Sequence, residues 1–176
     1  MPSNIDSEDR LFWTFSLDVY TRPGIADACL SLQDQYGCDV NMVLFCSWAA
    51  STAAGRLDDQ IIVAAVASVE EWQTEVIKPV RSVRRRLEAE LTHVEHETAA
   101  QLRVEIGAAE LHAESVEQDI LEKLIAPERA GRSNSGAQME DAEYNLQRYL
   151  KLLGVELKDD GLESLSTIVA GFCTKQ

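Results

Sequence analysis

The sequence predicts an all-α protein, a compact bundle of about seven helices with a buried central helix and a long amphipathic helical pair. Apolar residues recur every three or four positions along most of the chain, and no run alternates with strand period for long enough to compete. Glycine and proline fall between the periodic segments, where helices must stop. Aromatic content is only 6%, while alanine, leucine, valine and glutamate are plentiful. A chain of 176 residues suits one helical domain over residues 1–176.

The first helix is expected to begin near Asp6 or Ser7, either of which can cap free amides. Leu11, Phe12, Phe15, Val19 and Tyr20 follow at helical spacing, with Trp13 alongside. Pro23 is placed in the first turn of the second helix, which carries Ile25, Ala28, Cys29, Leu32 and Tyr36 on one face and stops at Gly37. Asp39 caps a third helix that is apolar nearly all round, from Val40 through Trp48 to Ala50, and so belongs in the centre.

A fourth helix starts at Asp58 or Asp59 and must kink or restart near Pro79, which cannot donate to the preceding turn. Val80, Val83, Leu87, Leu91 and Val94 then form an expected core face. Residues 97–125 predict a long helix with a stripe of Leu102, Ile106, Ala109, His112 or Ala113, Val116, Ile120 and Leu124. Residues 128–138 read as a flexible loop, followed by helices over 139–153 and 161–172. Residues 155–157 are the one short strand-like exception.

Charge and cysteine usage exclude several function classes. Thirty acids against 16 lysines and arginines give a net charge of −14, which disfavours nucleic acid and repels an anionic membrane. The longest apolar stretch, residues 40–50, is too short to span a bilayer, and the polar N-terminus is no secretory signal. Cys29, Cys38, Cys46 and Cys173 form no CxxC pair, and Cys29 and Cys46 sit in apolar patterns as core residues. The expected setting is a reducing cytoplasm.

Several strings carry a family resemblance. They are Phe12-Trp13, Tyr20, Pro23-Gly24, Leu32-Gln33-Asp34, Tyr36-Gly37, Asp39-Val40-Asn41, Leu44-Phe45-Cys46 with Trp48, Trp72, and Pro79 with Arg81, Arg84 and Arg85. Over residues 11–91 the chain resembles a small proteobacterial family known as a domain of unknown function, with weaker similarity towards Gly154. The stretch from Tyr36 to Trp48 is the most specific part. The resemblance implies a helical fold and a bacterial, cytoplasmic setting, and supplies no catalytic or binding residues.

The sharpest local anomaly is basic. Lys78, Arg81, Arg84, Arg85 and Arg86 fall within nine residues without an acid, and Arg81, Arg84 and Arg85 share one side of a helix. Guanidinium groups so placed can grip phosphate or carboxylate bidentately. The simpler account is internal neutralisation by Glu105, Glu110, Glu114 and Glu117 of the long helix. Asp39 is explained as a cap, whereas Asn41, beside Met42, Val43 and Leu44, needs a buried partner or lines a pocket.

Two further groups have ordinary explanations. Glu90, His93 and Glu97 could share a helix face as a metal patch, but no second Glu-x-x-His exists, so no metal site is expected. His112 is expected to be a partly buried helix residue. The aromatics Phe12, Trp13, Phe15, Trp48 and Trp72 read first as core.

No phosphate loop, serine elbow, HExxH or cofactor motif is present, so a non-enzymatic role leads and no cofactor is expected. The leading expectation is a helical adaptor or regulatory module that binds an acidic or phosphate-bearing protein partner through Arg81, Arg84 and Arg85. Homo-oligomerisation stays open. The alternative is a small-molecule site, for an anionic ligand, between the central helix and the arginine helix. Asn41 and Trp48 would line that site, an arginine would hold the anionic group, and Asp39 is a further candidate binding residue.

Overall fold

The computed structural model describes residues 11–89, 92–125 and 135–173. The expected helix start at Asp6 or Ser7, Glu90, Leu91 and residues 126–134 of the expected loop lie outside the described residues. All regular structure among the described residues is helical, and the strand-like residues 155–157 are irregular.

Helix α1 (Leu11–Tyr20) is anchored at its start by Glu122, whose carboxylate accepts from the backbone N–H groups of Leu11 and Phe12, both at 3.2 Å. Helix α2 (Ile25–Tyr36) begins after Gly24, whose φ of 80° suits only a residue without a Cβ. Pro23 therefore stands outside the helix rather than in its first turn, because Gly24 takes the cap position. Asp39 caps α3 (Val40–Ser51) as expected, its Oδ1 accepting from Asn41 N at 2.9 Å.

Helix α3 is the centre of the bundle. Every residue from Asn41 to Ala50 is buried, and α1, α2, α6 and α7 all pack against it. Trp48 stacks on Phe12 with centroids 4.9 Å apart, and Phe45 meets the same Phe12 ring edge-on at 5.9 Å. Helix α7 (Ser135–Leu152) covers the far side, and α8 (Asp159–Cys173) lies across α2 and α7. Asn145 of α7 is fully buried and satisfied: it accepts from Leu57 N and donates to Cys46 O and Gly55 O. Residues 135–138, expected as loop, are the first turn of α7.

Helix α4 (Asp59–Trp72) passes into α5 (Lys78–Arg86) through a π-helical turn, Gln73–Ile77. The wider turn accommodates the missing donor of Pro79, so the axis continues instead of breaking. Helix α5 is shorter than the apolar periodicity suggests and buries none of its own residues; Val83 is half exposed. His93 has φ 69° and lies in a turn, which ends any helix through Val94.

Helix α6 (His96–Glu122) corrects the sequence most sharply. Leu102, Ala109 and His112 of the expected stripe are exposed, while Glu110, Ala113, Glu117, Gln118 and Leu121 are buried. Its first half pairs chiefly with the short α5, so apolar side chains there have little to bury against. Its second half enters the bundle with carboxylates and an amide on the inward face. No helix of the described residues is long and apolar enough to cross a membrane.

Candidate functional site

Helices α5 and α6 bring the arginines to the glutamates. Arg81 donates from Nε to Glu110 Oε1 and from Nη2 to Glu114 Oε1, both at 2.8 Å. Arg84 donates from Nε to Glu110 Oε2 at 2.5 Å. The Arg84 Cδ passes Gly107 at 3.5 Å from where a Cβ would stand, an ordinary contact distance. Glu110 and Glu114 are thus the neutralising pair; Glu105 is exposed and accepts from Gln101, and Glu117 lies elsewhere. Arg85 stands at the surface and donates to Asp34 Oδ1 of α2 at 3.0 Å.

The two carboxylates that share Arg81 shift in opposite directions. Burial alone would raise Glu110, but the bonds from Arg84 and Arg81 hold it below the usual carboxylate range. Glu114 receives one guanidinium bond, and there burial, with Glu110 and Asp39 nearby, outweighs Arg81 and raises it.

Asn41 finds the partner its burial demands. Its Nδ2 donates to Glu117 Oε2 at 2.7 Å, and its Oδ1 accepts from Gln118 Nε2 at 2.7 Å. The π-helical turn supplies Gln73, whose Nε2 donates to the same Glu117 carboxyl group at 2.9 Å. Glu117 is 0% exposed, and burial followed by the neighbouring Asp39 carboxylate pushes it well above the ordinary range. It also shares a hydrogen bond with Asp39, which requires one proton between two acids, carried by Glu117. Tyr149 completes the group by accepting from Asp39 N at 2.9 Å.

A cavity of about 480 Å³ opens above this network. Trp13, Ser16, Leu17 and Tyr20 of α1 form one wall, and Leu30 and Gln33 of α2 another. The base is Val40, Asn41 and Leu44 of α3, and Gln118 of α6 adjoins it. Arg81, Arg84 and Arg85 face Gly107, Glu110, Leu111 and Glu114 along the remaining side. Ser16 Oγ and Gln118 Oε1 are buried and have no hydrogen-bond partner among the described residues.

Four of the six expected site residues, Asn41, Arg81, Arg84 and Arg85 counted with Asp39 and Trp48, therefore meet at one cavity. Asp39 lies just behind it, as cap of α3 and neighbour of Glu117. Trp48 is core, stacked on Phe12 and absent from the lining. Ser16, Gln73, Glu117, Gln118 and Tyr149 were not legible as site residues. The available signal was the run Glu110, Glu114, Glu117 and Gln118, which has helical spacing but polar identity.

Of the candidate metal patch, Glu90 lies outside the described residues, and His93 and Glu97 do not share a helix. His93 sits in a turn, His96 starts α6 and both are exposed. Among the described residues no group of three His, Cys, Asp or Glu side chains is placed to hold a metal ion. Cys29, Cys38 and Cys46 are buried free thiols; burial pushes Cys29 up to about 12 and Cys38, helped by Asp39, up to about 11. Trp72 donates from Nε1 to Ala113 O, which pins α4 to α6.

No curated protein and no solved structure matches the chain. Residues 11–121 match a family described as a protein of unknown function (DUF2390), a span that starts with α1 and ends with the last buried leucine of α6. The chain belongs to that family, and every side chain lining the cavity falls inside the matched span.

Proposed function

We propose that this protein binds a small organic molecule in the cavity bounded by α1, α2, α3, α5 and α6. One observation carries the reading: an apolar-walled space of about 480 Å³ on which a few buried polar groups converge. Pockets that hold small ligands share that size and that mixture. Leu17, Leu30 and Leu111 remain exposed at its edge, so an apolar body entering the cavity would cover them as well.

A thermal-shift series with simple aromatic and aliphatic compounds tests this. Binding raises the melting temperature with ligand concentration. A Leu30→Trp variant, which places a larger side chain at the edge, should abolish the shift. No shift with any compound, or a shift that survives the blocked edge, overturns the reading.

A second reading is docking of an acidic or phosphate-bearing protein partner on the outer side of α5. It is favoured by a groove of about 390 Å³ lined by Lys78, Arg81, Ser82 and Arg85 against Gln33 and Asp34. Arg81 and Arg84 contribute little free charge, being held by Glu110 and Glu114, so Lys78 and Arg85 would carry the contact. Titration with a poly-glutamate peptide would then show salt-sensitive binding that a Lys78→Ala/Arg85→Ala variant loses. In either reading we place the protein in a bacterial cytoplasm, supported by the family resemblance and by three free thiols.

A further inference from the structure

The groups around the cavity that lack partners are all able to accept hydrogen bonds. Glu114 uses Oε1 for Arg81, and its Oε2 accepts nothing among the described residues. Gln118 spends its Nε2 on Asn41, which leaves Oε1 without a donor at 2% exposure. Ser16 Oγ is likewise without a partner at 4% exposure. Glu114 and Gln118 are four residues apart on α6 and so share a face, while Ser16 comes from α1.

The charge balance points the same way. Arg81 and Arg84 both serve Glu110, and Arg81 also serves Glu114. Three guanidinium groups and two carboxylates line the cavity; Arg85 is paired with Asp34 outside the lining, which leaves Arg81 and Arg84 to Glu110 and Glu114, with Asp39 and Glu117 just behind. Glu114 is the carboxylate left least compensated, and its carboxyl group is raised by burial.

We propose that the occupant is an organic amine whose ammonium group is held by Glu114, Gln118 and Ser16 while its apolar body lies against Leu17, Leu30 and Leu44. This rests on the cavity being a small-molecule site, and it adds the chemical class. An ammonium group brings three donors and one positive charge, which answers three free acceptors and an undercompensated carboxylate. Trp13 and Tyr20 add aromatic side chains to the α1 wall, a residue type that attracts cations. An anionic occupant would instead compete with Glu110 and Glu114 for arginines already bonded.

Calorimetric titration with three matched probes decides it: 2-phenylethylamine, 2-phenylethanol and 3-phenylpropanoate. The amine should bind about tenfold or more tightly than either analogue, the value of one charge-assisted hydrogen bond. Glu114→Gln should remove that advantage, bringing the amine to the level of the alcohol measured on the same variant. Equal or tighter binding of the alcohol or the acid overturns the amine assignment and leaves the small-molecule reading standing. Amine binding that ignores Glu114→Gln also overturns the assignment. Absence of binding by all three overturns both. If the variant fails to fold, the three-probe comparison on the unaltered protein still decides.

Discussion

Asn41, in the first turn of α3, donates to Glu117 of α6 at 2.7 Å in a place where neither residue is open to solvent. The contact ties the central helix to the long helix through two polar side chains rather than two apolar ones. Gln73, Gln118 and Asp39 close the network around it. A buried network of this kind is stabilising only while each member keeps its partner.

Removing the amide of Asn41 should therefore cost more than an ordinary surface change. Asn41→Ala leaves Gln118 without an acceptor and takes one donor from Glu117. A loss of about 2–3 kcal/mol is expected. Urea unfolding at neutral pH measures it, and a loss below about 0.5 kcal/mol would mean that the network is not formed.

Glu117 makes stability depend on pH in an unusual direction. Its folded form holds a proton above the ordinary carboxylate value of 4.5, because burial and Asp39 oppose ionisation. Between that value and the raised one, the folded chain binds more protons than the unfolded chain, so this residue's contribution falls as pH rises. Its stabilisation is complete below about pH 4 and declines through neutrality. Glu117→Gln, which imitates the neutral acid, should be more stable than the parent at pH 8, by an amount on the order of 1 kcal/mol. The difference should vanish near pH 4, and urea midpoints at the two pH values check both halves.

The arginines divide into structural and superficial. Arg81→Ala strands Glu114, which is mostly buried, and leaves Glu110 to Arg84 alone, and should cost about 2–3 kcal/mol. Arg85→Ala breaks a pair in which both side chains are more than half exposed, and should change stability by less than about 0.5 kcal/mol. Equal effects from the two variants in denaturant melts would contradict the pairing.

Helix α8 approaches α2 at Gly171, where an added Cβ would stand 2.3 Å from Ile25 Cδ1. Ile25 is fully buried, so its side chain must shift within the core to make room, and Gly171→Ala should cost about 1–3 kcal/mol. Ile25→Val removes the clashing methyl group. The double variant should then be more stable than the sum of the single effects implies, as a double-mutant cycle would show.

The sequence made the fold class and most helix positions legible because apolar spacing and glycine or proline punctuation act locally. Helix α3 was placed in the centre from its uniformly apolar composition, and Asp39 as its cap from position alone. Helix α6 was misread because its inward face is written in Glu110, Glu117 and Gln118, which hydropathy assigns to water. Those residues are buried only because Arg81, Arg84, Asn41 and Gln73 arrive from other helices. The arginine cluster lies on the cavity wall, and its neutralisation by Glu110 and Glu114 was legible from helical spacing. Which atoms would be left unsatisfied depended on side-chain geometry that spacing does not carry.

The π-helical turn fixes a phase. Gln73–Ile77 fits one more residue into a turn than an α-helix would, and the helix beyond it is rotated to match. Deleting a single residue between Trp72 and Lys78 would let the segment relax to plain α-helix with Arg81 and Arg84 in nearly the same phase, whereas winding all of the present residues as α-helix would carry both about 100° further around the axis. Both guanidinium groups would then leave the side of α6 on which Glu110 waits. The backbone form of this stretch therefore matters to the Arg81 and Arg84 pairing as much as the identity of its residues.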